Sequence, residues 1–192
     1  MRVGSHNVLQ IGDPRLRQRS EDVSANDSEQ KKDMARLQRT LSEFRRVKGF
    51  GRAIAAPQIG IARRFIAFDL GRLPFVMVNP VITWRSEATF TLWDDCMSFP
   101  SLLVKVRRHM SISVAYLDGE GNRQTWLDLE PNEAELVQHE IDHLDGILAV
   151  DRAQCISDII SRDAYAAMPE YFDALVDENP NAGENADSTS QP

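Results

Sequence analysis

At 192 residues the chain has room for one full hydrophobic core, and 42% hydrophobic with 27% charged residues is ordinary globular composition. The net charge of −7 resides in residues 151–192, where nine Asp and Glu face only Arg152 and Arg162, so the preceding 150 residues balance and argue against nucleic-acid binding. No apolar run of 18 residues predicts a membrane span, and two cysteines, Cys96 and Cys155, make no disulfide framework, so a reducing, cytoplasmic setting is expected.

In chain order, the first predicted element is a helix over Ser28–Lys48, where Met34, Leu37, Leu41 and Phe44 recur at spacings of three and four. Gly49 and Gly51 end it. The small-residue segment Ala53–Gly60, with Pro57, is expected to be extended or turning. Short strands follow at Phe65–Phe68, Phe75–Val78 and Val81–Trp84, separated by Gly71, Pro74 and Pro80. Ile112–Tyr116 and Gln124–Leu129 flank Asp118-Gly119-Glu120-Gly121-Asn122, a hairpin turn. A second helix is predicted from Pro131 to Gly146, with Leu136, His139, Glu140 and His143 on its inward stripe. A third is predicted over Cys155–Val176, kinked or broken at Pro169. Residues 1–176 then form a single domain, and the acidic, apolar-poor tail 177–192 is expected to be disordered.

The chemistry lies in Gln138-His139-Glu140-Ile141-Asp142-His143. Histidines four apart on a helix present two imidazoles one turn apart on one face, both able to reach one metal ion, and the glutamate between them can move protons for water there. Burying two rings and a carboxylate on an apolar stripe is costly unless something coordinates them. A third protein ligand is needed. Cys96 upstream is one candidate; Asp163 or Glu170 on the third helix is the other, and would make the chain a zinc metallopeptidase.

Three blocks in order resemble the peptide deformylase family: Gly51-Arg52-Ala53-Ile54-Ala55-Ala56-Pro57-Gln58, Asp94-Asp95-Cys96-Met97-Ser98 and Gln138–His143, preceded by the similar opening Val8–Arg17. The resemblance covers residues 8–152 and implies an α+β fold, with small antiparallel sheets around a central metal-binding helix and helices at the N- and C-terminal sides. It implies Cys96, His139 and His143 as ligands of one divalent ion, natively iron(II), with zinc, nickel or cobalt able to replace it. It further implies hydrolysis of the N-formyl group of formyl-methionyl peptides of nascent proteins. Glu140 would move the proton to the departing amine, and the Gln58 amide and the Met97 N–H would face the developing oxyanion.

Gly51, Ala53 and Asp95 would border the extended peptide. Ala53 and Asp95 stand where the family has glycines, so a carboxylate is expected beside the cleft, with weaker activity on formyl-Met peptides than a relative with both glycines. Asp142 is expected to be structural and Arg108 to pair with Asp94. Alternatives are another N-formyl substrate, the peptidase, or a non-catalytic metal-binding relative. The acidic tail gives no support for ribosome contact.

Overall fold

The computed structural model describes residues 8–24 and 29–177. Helix α1 (Gln30–Lys48) buries Met34, Leu37, Leu41 and Phe44, the stripe read from the sequence, and stops where Gly49 turns left-handed. Its expected start at Ser28 lies outside the described residues. Strand β1 (Ala53–Ala55) runs into a 3-10 turn, Ala56–Ile59, that carries Gln58. Then come β2 (Phe65–Phe68), β3 (Phe75–Arg85), β4 (Thr89–Asp95), β5 (Leu102–His109), β6 (Ile112–Leu117) and β7 (Arg123–Leu129).

Two antiparallel sheets result. The first has the order β1-β2-β3-β6-β7; the second joins β4 and β5 to β8 (Ile159–Ser161). Two readings are corrected here. Phe75–Val78 and Val81–Trp84 are one strand, because Pro80 sits in a bulge between Val78 and Val81 where no ladder donor is required. Asn79, at φ 49°, uses the irregularity to bind the backbone of Val23 through both ends of its amide. The segment Cys155–Val176 is not one helix. It is a 3-10 turn (Ile156–Asp158), β8, α3 (Arg162–Ala167) and α4 (Pro169–Asp173). Ser161 starts α3 by accepting the Ala164 N–H, and Pro169 begins the last helix at its first turn, where its missing N–H costs nothing.

Helix α2 (Pro131–Leu144) is buried continuously from Ala134 to Leu144 and packs on β1 of the first sheet and β5 of the second. Such a helix has no solvated face, so its polar residues must find partners inside. The chain leaves it through Gly146 at φ 76°, where a Cβ would come within 2.5 Å of the Arg17 carbonyl oxygen. Asp177, placed in the tail from sequence, has its carboxylate bonded to the N–H and hydroxyl of Thr91; residues 178–192 lie outside the described range. No helix among the described residues is long and apolar enough to cross a membrane.

Candidate metal centre

Cys96 follows the last residue of β4, on the edge of an apolar cluster with Leu92, Phe99 and Val104, and is 2% exposed. His139 and His143 face it from α2. The Cys96 Sγ lies 3.2 Å from His143 Nε2, which lies 3.2 Å from His139 Nε2, and the three potential ligand atoms are all within 4.8 Å of one another. Tetrahedral Zn–N and Zn–S bonds of ordinary length space such atoms by about 3.4–3.8 Å.

The surroundings fit a cation. The Asp94 carboxylate accepts the His139 Nδ1–H at 2.9 Å, which turns the Nε2 atom toward Cys96 and His143. Arg108 donates to Asp94 at 3.1 Å and also to Asp142, which accepts in turn from Arg152. Asp142 is therefore structural, and the expected Arg108–Asp94 pair is present. Burial opposes charge on Asp94, but His139 and Arg108 outweigh it and hold that carboxyl down to about 2. Burial pushes the Cys96 thiol up, and burial with the neighbouring His139 holds the His143 ring well below its ordinary value. A buried thiol and a neutral imidazole aimed at one point are a soft donor set for a divalent ion, whose binding displaces protons.

Glu140, 3% exposed, has one carboxylate oxygen without a hydrogen-bond partner among the described residues, and it borders the cleft. Burial pushes its carboxyl up to about 7. An orphaned, proton-ready oxygen beside three converging donors suits a general base. Gln58 donates from its amide to Cys96 Sγ at 3.6 Å and Ser98 Oγ at 3.2 Å, while its carbonyl accepts the Ala55 N–H. The N-terminal segment laces both loops in place, through Leu9 N–H to Gln58 O and Ile11 N–H to Ser98 O.

The cleft is lined by Gly51, Ala53, Asp95 and Met97 and by Phe50, Arg52, Glu135 and Leu136. Ala53 is extended in β1 opposite Phe68 and Asp95 in β4 opposite Leu103, so neither occupies a conformation that needs glycine. Asp95 does not present a bare charge, because Arg162 pairs with it at 2.8 Å while lying over the Phe50 ring. Asp163 and Glu170 are exposed and lie outside the donor group. Arg52 and Glu135 were passed over in the sequence. The available signal was spacing: Glu135 precedes His139 by four, which places a carboxylate on the inward stripe.

An α+β frame holding a buried cysteine and a His-Glu-x-x-His helix defines a metal-dependent hydrolase. The polypeptide deformylase family model matches residues 5–158, and the chain belongs to that family. It is 35% identical over 147 residues to the peptide deformylase of Thermotoga maritima, covering 77% of this chain and 86% of that one. The crystal structure of peptide deformylase from that organism superposes with a TM-score of 0.70 at 34% identity, over 77% of this chain and 97% of the other. A peptide deformylase from Synechococcus elongatus in complex with actinonin gives 0.72 at 32% identity, over 79% and 80%. One from Acinetobacter baumannii with Met-Ala-Ser bound gives 0.65 at 30% identity, over 76% and 96%.

Proposed function

We propose that the chain hydrolyses the N-formyl group of formyl-methionyl peptides of nascent proteins in the cytoplasm, with iron(II) as the native ion held by Cys96, His139 and His143. The observation that carries the assignment is the convergence of those three buried donors beside the unpartnered oxygen of Glu140. A divalent cation held there supplies Lewis-acid activation of water and of a carbonyl oxygen.

The chain's own residues do the rest. Glu140 accepts the proton of the attacking water, because burial has raised its affinity for one to the working range, and passes it to the departing amine. Gln58 turns an amide donor into the same space, where it can follow the formyl oxygen as negative charge develops; the Met97 N–H is assigned as the second donor. The Asp94–Arg108 pair keeps His139 oriented throughout. Met-Ala-Ser, bound to the Acinetobacter relative, has the form of a deformylated product.

Formate release from formyl-Met-Ala-Ser by anaerobically purified, metal-loaded protein tests this directly. Glu140→Gln should cut kcat by about 10²–10⁴ while leaving metal content unchanged. Undiminished turnover in that variant would remove Glu140 from the reaction. Metal retained by Cys96→Ala would remove the assigned ligand set.

A further inference from the structure

Arg52 and Glu135 form an ion pair on the cleft wall, beside Ala53, Leu136 and His139. Glu135 is 2% exposed, lies one helical turn before His139, and has its charge answered from the loop that follows α1. Arg52 is anchored as well to the Asn132 carbonyl and side chain at the start of α2. The helical rise from His139 to Glu135 is about 6 Å, the reach of a four-atom side chain that starts next to a carbonyl held at the donors. The wall at that depth is therefore ionic. We propose that the Arg52–Glu135 pair determines specificity for the first side chain of the N-formyl peptide, favouring one that carries hydrogen-bonding atoms over an apolar one of equal length; this deepens the deformylase reading and rests on it.

The physical reason is the cost of desolvation. An apolar side chain pressed on the pair strips the remaining water from the Arg52 guanidinium, which keeps 21% of its side-chain surface, and returns no hydrogen bond to either charge. A terminal amide both accepts from Arg52 and donates to Glu135. Sites built to hydrogen-bond a substrate group discriminate strongly against the analogue that lacks it.

The test compares formyl-Gln-Ala-Ser, formyl-Met-Ala-Ser and formyl-norleucine-Ala-Ser, matched in side-chain length, on the metal-loaded enzyme. The expected kcat/KM for the Gln peptide exceeds that for the norleucine peptide by at least about tenfold, with the Met peptide between them. In R52L/E135L the order should invert; replacing a buried pair by apolar residues of similar size is tolerated far better than removing one partner. Calorimetric affinities of the products Gln-Ala-Ser and norleucine-Ala-Ser should follow the same order, and these read the wild-type wall whatever the variant's stability. Formate release with the norleucine peptide equal or preferred in the wild type overturns the proposal and leaves the deformylase reading standing. An unchanged ratio in a folded R52L/E135L also overturns it. No formate from any of the three peptides overturns the deformylase reading itself.

Discussion

The side chain at position 95 stands next to Cys96, yet its carboxylate is turned to Arg162 at 2.8 Å, and the guanidinium also donates to the Pro100 carbonyl and covers the Phe50 ring at 4.6 Å. Asp95 thus comes with its own counter-charge. Both partners keep about a third of their side-chain surface, so the pair resembles a surface salt bridge of about 0–1 kcal/mol. Asp95→Asn should therefore change kcat/KM for formyl-Met-Ala-Ser by less than about fivefold. A gain of a hundredfold would show that the carboxylate does obstruct the substrate. Glu135 lies on the helix face that carries His139, and Arg52 answers it from the loop before β1.

Strand β8 depends on one carboxylate. Asp158 accepts the N–H groups of Gln154 and Cys155 at 2.9 and 3.1 Å and pairs with Lys105 at 2.9 Å, closing the turn that delivers Ile159–Ser161 to the edge of the second sheet. Burial opposes its charge, but these contacts outweigh burial and hold its carboxyl below the ordinary carboxylate range. A depressed folded-state pKa contributes stability that is complete above the unfolded value and disappears as pH falls through the folded one. Asp158→Asn should cost about 1–2 kcal/mol near neutrality, and the gap in urea unfolding should close as the pH falls below about 4. A gap independent of pH would assign the loss to packing instead. The same element shows why part of the fold was hidden. Ile156, Ile159 and Ile160 fall at helical spacing, but Asp158 and Ser161 are turn and cap residues, and the structure uses them as such. Helices α1 and α2 were legible because one period persists along each. The β4–β5 hairpin went unread because Asp94 and Arg108 break its apolar pattern, and only the fold reveals that they satisfy each other and α2. The two histidines and Glu140 were legible in motif spacing and Cys96 only through the family resemblance, whereas the ionic cleft wall joins residues 83 positions apart.

Among the described residues the second sheet is tied to α2 by the Asp94–His139 contact, by the Gln138 amide on the His109 backbone and by an arginine, and α2 rests on the first sheet through β1. One tie is Arg108, 4% exposed, between Asp94 of β4 and Asp142 of α2. A cation held by Cys96 from the end of β4 and both imidazoles of α2 would cross-link the same layers. Binding to the folded state alone stabilises it by about 2.7 kcal/mol when free metal is a hundredfold above Kd. For a chain of this size that is several degrees in the unfolding midpoint, at roughly 2–4 °C per kcal/mol. Chelation should lower the midpoint by that amount, and added zinc or nickel should restore it, with iron(II) doing so under anaerobic conditions. Glu140→Gln should respond as the wild type does, although inactive, because it removes the base and no ligand. Cys96→Ala should lose the response. If chelation leaves the midpoint unmoved, or if Cys96→Ala responds fully to zinc, the cation does not cross-link sheet and helix, and the Arg108, Asp94–His139 and Gln138–His109 contacts join the layers without it.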